Sequence, residues 1–438
     1  MKRAFVISDL HLGGAPGFQM CPPENQKVLA STLSTFAEQR SKDVDVQIVI
    51  AGDIVDFLAE TPFASFTAKQ DDALEKLEQV FKNAEPVWSA LANVLEKGCE
   101  LTLMLGNHDL ELAFPAVQKR LFERLGNGRL RLVTDGKPLS LGNAIVVHGN
   151  EDDIWNHVAL RALDAFAKGE TPDYDDIVVP GSELVKRVMN PIKADHPWVD
   201  LLKPETSALL PLLAVLRPQT VKEIPVLVQL YSKARMRALG RKLDDEDIAA
   251  ATSPEVDAHV ELALELAGVS DEIAARDLFE PLKKLWRAVR DKAWNATRGR
   301  MQRALRALAP KDYFDTRVEQ KEWSGYAQRM IQAHGAKTVI FGHTHLAKRI
   351  AMNGGVYINT GTWADVLRLP PETWAEPSDD TTTAFNQFVD DLIDNKLDGR
   401  RRLFATYAQV DHGDAEAQVE LLKHDGTKVK DGDLWSMQ

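Results

Sequence analysis

Cysteine is scarce in this chain: its 438 residues contain two, Cys21 and Cys99. Two thiols build neither a disulfide framework nor a cysteine-based zinc site, and a reducing compartment is the expected home. Long apolar runs are missing too. The longest, ALLPLLAVL at 208–216, is interrupted by Pro211, whereas a membrane-crossing helix needs about 20 apolar residues. No transmembrane segment is expected. The first apolar stretch, AFVIS at 4–8, gives way to Asp9. It is too short for the apolar stretch of a secretory signal, so the expected location is cytoplasmic. Basic charge is in deficit as well, with 53 Lys and Arg against 65 Asp and Glu, a net charge of -12. That balance argues against non-specific nucleic-acid binding, which needs a basic surface.

What is present is an ordinary globular composition, 44% hydrophobic and 27% charged. The length exceeds the usual prior of about 150 residues per domain, so a core with a large insertion, or two to three domains, is expected. Residues 1–150 alternate two patterns. AFVIS (4–8), VQIVIAG (46–52), LTLMLG (101–106) and AIVVHG (144–149) are short runs of the kind buried in α/β sheets. Between them, 25–40 and about 68–97 carry a helical period, the latter through Leu74, Leu77, Val80, Phe81, Trp88, Leu91 and Leu95. From 151 to 335 strand-like runs almost vanish and helical signals broken by Pro and Gly take over. The strand pattern returns with TVIFG (338–342), GVYINTG (355–361), FATYAQV (404–410) and AQVELL (417–422). The expected organisation is a strand-rich core in two parts, 1–150 and 336–438, split by a helical insertion at 151–335.

The runs of the core end in candidate metal ligands. SDLH supplies Asp9 and His11; GDIVD supplies Asp53 and Asp56. GNHD supplies Asn107, His108 and Asp109. VVHGN supplies His148, and GHTH supplies His343 and His345. No one of these motifs decides anything; an Asp after a strand is often a helix cap. Five clusters at the same ends of strands are different, because ligands gather at the carboxyl ends of strands in open α/β sheets. Carboxylate, amide oxygen and imidazole without thiolate suit manganese, iron or zinc. So many candidate ligands are too many for one tetrahedral ion and suit two ions sharing a carboxylate. Glycines 52, 106 and 342 are expected to let the chain turn sharply off each strand.

The ordered set DLH, GDIVD, GNHD, His148 and GHTH resembles the calcineurin-like metallophosphoesterase superfamily, over about residues 3–150 and 336–363. That resemblance implies an α/β fold: a sandwich of two β-sheets flanked by helices. It implies two divalent metal ions, manganese first and iron or zinc otherwise. Asp9, His11 and His345 would hold one ion, Asn107, His148 and His343 the other, with Asp53 bridging. His108 would face the substrate as general acid, with Asp109 orienting its imidazole, while Asp56 would support its loop. The implied reaction is hydrolysis of a phosphoester or pyrophosphate by in-line attack of a metal-bridging hydroxide. SDLHLGG and GDIVDFL also resemble bacterial enzymes that cleave UDP-diacylglucosamine. The 151–335 insertion departs from those compact enzymes, so their substrate is not carried over.

Other features are read more plainly. His157, His196, His259, His334, His412 and His424 are expected to be surface or packing residues, with His157 the candidate for a substrate contact. Asp152 and Asp153 are expected as helix N-terminal acids. Segment 281–310 carries nine Lys or Arg, one Asp and an apolar stripe including Leu282, Trp286, Met301 and Leu305. A solvated basic face is the first expectation; contact with an anionic surface or with substrate phosphate is the alternative. The partner expected overall is a phosphate-containing substrate. A nuclease or a non-catalytic scaffold on the same fold are the competing functions.

Overall fold

The computed structural model describes residues 1–126, 128–153, 155–203, 311–376, 378–413 and 416–429, together with 212, 298–299, 301–303 and 305–306. The chain divides into two compact units. One comprises 1–186, 314–365 and 403–438; the other comprises 187–313 and 366–402.

The first unit holds two sheets. Strands β1 (Lys2–Ile7), β2 (Asp45–Ala51), β3 (Glu100–Met104) and β4 (Arg129–Val133) run parallel; β13 (Thr406–His412) and β14 (Gln418–Lys423) extend them antiparallel, in the order β14-β13-β1-β2-β3-β4. The second sheet is β5 (Leu139–Leu141), β6 (Ala144–Val146), β8 (Thr338–Phe341), β10 (Gly355–Thr360) and β9 (Ala347–Met352), in the order β5-β6-β8-β10-β9.

Side-chain alternation along the strands makes the layers. Ala4, Val6, Val49 and Ala51 from the first sheet share a core with Val146, Ile340 and Ile358 from the second. On the outer face of the first sheet, Phe5, Ile7, Ile48 and Ile50 pack under helices α1 (Pro23–Glu38), α2 (Gln70–Asn83), α3 (Glu85–Glu96) and α4 (Pro115–Leu125). Beyond them in the chain come α5 (Leu160–Ala167), whose Leu163 and Ala167 join that same core, and α6 (Lys321–His334). Ala327 and Ile331 of α6 cover Ile145, Val339, Phe341 and Tyr357 on the outer face of the second sheet. The fold is therefore the expected two-sheet sandwich flanked by helices. The period read across 68–97 is two helices; Pro86 follows the joint at Ala84, where a proline leaves no N–H to continue the first helix.

Register positions the site. Ile7 pairs with Ile50 and Ala51 with Met104, so β1, β2 and β3 end side by side. Val146 likewise pairs with Ile340, aligning the ends of β6 and β8.

Of 151–335, the described residues hold α5, α6, short helical segments between 174 and 193, and β7 (Leu202–Lys203). In the second unit β7 joins β11 (Asp365–Arg368) and β12 (Arg401–Leu403), and helix α7 (Asp379–Ile393) starts on a Ser378–Thr381 capping box. Segment 281–310 lies outside the described residues except at seven positions. Among those, Met301 and Leu305 are buried and Arg298 pairs with Asp390. No helix among the described residues is long and apolar enough to cross a membrane.

Candidate metal centre

The loops that leave β1, β2, β3, β6 and β8 bring all ten motif residues into the first unit. Five of them have a left-handed backbone: Asp9 (φ 53°), His11 (φ 44°), Asp53 (φ 52°), His343 (φ 67°) and His345 (φ 62°). Among the described residues only one other non-glycine, Asn395, shares that region. Each such residue costs roughly 1–2 kcal/mol, and residues held this way cluster where geometry serves a site. Surrounding hydrogen bonds impose the conformation. His11 N–H donates to Asp53 O at 3.0 Å and Leu12 N–H to Ile54 O at 3.0 Å, so the first two loops continue the pairing of their strands. His343 N–H donates to Asp9 Oδ2 at 2.9 Å, and Thr362 Oγ1 to Asp9 O at 2.7 Å.

The glycines play two roles. Gly52 turns the chain at φ 92°. Gly106 and Gly342 are not left-handed; their role is clearance. A Cβ on Gly106 would collide with Asp53 Oδ1, and one on Gly342 with Asp9 Oδ2 and Ser8. The carboxylate from one loop passes where the next loop has no side chain.

Two clusters result. His11 Nε2 faces His345 Nε2 at 2.9 Å, and Asp9 Oδ1 lies 3.3 Å from the latter and 3.9 Å from the former. Asp53, His148 and His343 bring ligand atoms within 4.8 Å of one another, as do Asp9, His11 and His345. Asn107 Oδ1 lies 3.3 Å from His148 Nε2. Asp53 stands between the clusters, its Oδ2 3.3 Å from His148 Nε2 and 3.8 Å from His11 Nε2. A third group, His11, Asp56 and His108, also satisfies the 4.8 Å spacing.

His108 is the most open of these side chains, 18% exposed. Its partner is Asp56, whose Oδ1 is 3.1 Å from His108 Nδ1. Asp109 does not orient that imidazole, contrary to the family-based expectation. Its Oδ1 accepts Gly106 N–H at 2.7 Å and its Oδ2 accepts Ile54 N–H at 2.8 Å, which ties the second and third loops together. A buried carboxylate is satisfied best by two backbone donors within reach, and both of Asp109's oxygens are used that way.

The electrostatics fit cations. Asp9 Oδ1 and His11 Nδ1 are buried without a hydrogen-bond partner, and an acceptor left so is costly unless something else binds it. Burial would raise the Asp9 carboxyl, but His345 and His148 outweigh it and hold it down at about 2. Burial would likewise raise Asp53, yet His148 and His108 keep it well below the usual carboxylate range. Burial, reinforced by His108 and His345, pushes His11 down to about 3 and keeps it neutral. Ionised carboxylates and a neutral imidazole are the states metal ligands require. His148 is the exception. Burial disfavours its charge, but Asp53 raises it to about 10, so a cation taken there displaces a proton. Its Nδ1 sits 2.8 Å from Ala51 O, which fixes the tautomer with Nε2 toward the cluster. Burial and the charge of Asp53 push Asp109 up to about 7, against the two N–H groups that favour its anion.

Sequence reasoning missed two neighbours. Asp153 is not a helix N-terminal acid but follows a short 3-10 turn, Asn150–Asp152, and its Oδ2 lies 2.8 Å from His343 Nε2. Trp323, on α6, sets its ring edge-on to His343 at 5.3 Å between centroids. The contact of Asp153 spans 190 residues, and nothing in the local pattern around Trp323 marked it as a neighbour of the site. His157 spends its Nδ1 on the carbonyl of Glu151, in its own turn.

Residues 2–208 match the family model described as calcineurin-like phosphoesterase. The GHTH loop falls beyond that span, but its strand β8 is hydrogen-bonded to β6 in the same sheet. No curated protein sequence matches the chain. Among solved structures, the phosphopantetheinyl hydrolase of Mycobacterium tuberculosis aligns over 85% of this chain and 91% of its own, at 11% identity and a TM-score of 0.25. A likeness that weak adds no weight to fold or substrate. The family match, the sandwich and the clustered Asp and His side chains together identify a calcineurin-like phosphoesterase domain over residues 2–208, the domain of metal-dependent phosphoester hydrolases.

Proposed function

We propose that this enzyme cleaves a phosphoester or pyrophosphate at a centre of two divalent ions. The observation that carries this is the pair of ligand clusters joined by one buried carboxylate: Asp53 Oδ2 within 3.8 Å of His11 Nε2 and 3.3 Å of His148 Nε2. Asp9, His11 and His345 would hold one ion; Asn107, His148 and His343 the other; Asp53 both. Oxygen and imidazole donors with no thiolate make manganese the first ion to test, with iron or zinc next. When bound, such a pair supplies an acidified water as nucleophile for in-line attack and neutralises phosphoryl oxygens.

The chain's own residues do the rest. His108 is the proton donor. Asp56 Oδ1, 3.1 Å from its Nδ1, orients the ring, and Nε2 is the nitrogen assigned to protonate the departing oxygen. Its exposure to solvent is what a group that meets substrate needs. Asp53 Oδ1 accepts the His108 N–H at 2.9 Å, so the donor and the bridging carboxylate move as one piece. Substrate choice is assigned to residues within 151–335, whose ends supply Asp153 and Trp323 beside His343.

The test is hydrolysis of a panel of phosphomonoesters, diesters and pyrophosphates with manganese, repeated with Asp53→Ala and His108→Ala. Activity on at least one class, lost in the first variant and reduced in the second, is the expected result. Wild-type rates in both variants would dismiss the proposal.

A further inference from the structure

Asp153 and Asn156, in the turn that follows His148, stand beside the second group of candidate ligands, and their hydrogen bonds have a direction. Asp153 lies 2.8 Å from His343 Nε2 through Oδ2, and the same oxygen accepts Asn156 Nδ2 at 2.7 Å. Asn156 Oδ1 in turn accepts Asn107 Nδ2 at 3.4 Å. Asn107 is left with its Oδ1 toward His148 Nε2, at 3.3 Å.

An ionised carboxylate only accepts hydrogen bonds. Asn156 must therefore turn its NH2 to Asp153 and its carbonyl to Asn107. Asn107 must answer with its own NH2, which leaves its carbonyl oxygen, the only atom of that amide able to bind a cation, on the inner side. The same carboxylate accepts Nε2–H of His343 and leaves Nδ1 of that ring as its lone-pair nitrogen. One side chain thus sets the ligand atom of two residues. Asp153 and Asn156 are themselves fixed. Asp153 Oδ1 accepts Trp155 N–H at 2.8 Å, Asn150 Nδ2 donates to Asn156 O at 2.9 Å, and Gly181 N–H donates to Trp155 O at 2.8 Å. A Cβ on Gly181 would collide with Asn156 Oδ1. In the other cluster His11 Nδ1 makes no hydrogen bond, and the carboxylate facing it, Asp56 Oδ2, stands off at 3.8 Å.

We propose that Asp153 and Asn156 are positioning residues that orient Asn107 and His343 toward the second of the two cations and leave the first untouched. This deepens the dinuclear proposal and rests on it.

The experiment is manganese titration of the full-length protein by calorimetry, with metal content after gel filtration and the electron-spin signal of a coupled manganese pair as further readouts. Wild type, Asp153→Asn, Asp153→Ala and Asn156→Ala are compared. Expected are two ions in wild type. In the variants the first affinity is unchanged, the second is weaker by about 10–100-fold, and the pair signal is lost. Asp153→Asn is nearly isosteric and keeps an acceptor, so it should fall less than Asp153→Ala; Asn156→Ala leaves the carboxylate in place and guards against a folding failure. Two ions bound with wild-type affinity in all three variants would overturn the proposal, as would equal weakening of both positions, the mark of a general structural loss. Fewer than two ions in wild type would sink the dinuclear centre itself, a result read from a different arm of the experiment.

Discussion

Replacing Gly106 by alanine isolates the clearance argument, because the sign of its effect depends on it. Gly106 is outside the left-handed region, so alanine fits its backbone. Were space available, Gly106→Ala would stabilise the protein by about 0.4–1 kcal/mol through the unfolded chain. The structure denies that space: the new methyl meets Asp53 Oδ1 and the Asp53 backbone nitrogen. Asp53 has nowhere to go. It is 1% exposed, its Oδ1 accepts His108 N–H at 2.9 Å, and its Oδ2 lies 3.3 Å from His148 Nε2. Overpacking of this kind costs about 1–3 kcal/mol, which outweighs the entropic gain and leaves a destabilisation of roughly 1–2 kcal/mol. At about 2–4 °C per kcal/mol for a domain of 150–250 residues, the melting temperature should fall by a few degrees. The larger effect is on catalysis, since displacing a positioned group by about 1 Å costs on the order of 10²-fold. Thermal melts and kcat/KM with manganese measure both. A raised melting temperature with unchanged kcat/KM would refute the claim that one loop's carboxylate occupies the next loop's missing side chain.

The donor role of His108 predicts that His108→Ala loses about 10²–10⁴-fold in kcat on esters with poor leaving groups and much less on nitrophenyl esters; an equal loss on both would argue against proton donation. Asp56→Asn should show the same leaving-group dependence in weaker form, whereas Asp109→Ala should not. Asp109→Ala should instead lower stability, by about 1–3 kcal/mol for each backbone N–H left unsatisfied at Gly106 and Ile54, read as a fall in melting temperature. Chelation should abolish activity and manganese restore it. The ion should also raise the melting temperature, by the equivalent of about 2.7 kcal/mol per site at 100 times its Kd. A melt indifferent to manganese would contradict that.

Much of this site was legible because its motifs obey short-range rules. A buried strand, a glycine and a ligand recur at fixed spacing, and the parallel register that aligns β1, β2 and β3 follows from the α/β pattern. Central strands such as VQIVIAG announced themselves by continuous apolar character. The strands that escaped notice include the sheet edges β4, β5 and β9. RLRLV of β4 is half exposed and mixes arginine with leucine, so it offers no apolar run to read. Long-range pairing was invisible for a different reason. Nothing near His108 distinguishes Asp109, its neighbour in sequence, from Asp56, its partner across two loops. Asp153 has the look of a helix-capping acid because its bond to His343 spans most of the insertion. A glycine after a strand reads as a turn at both 106 and 342; only the packed site reveals that Gly106 and Gly342 make room.

The most direct measurement is anomalous diffraction from crystals grown with manganese. Two peaks are predicted, both within coordinating distance of Asp53, one against Asp9, His11 and His345 and the other against Asn107, His148 and His343. A single peak, or ions that leave Asp53 without a contact, would contradict the account.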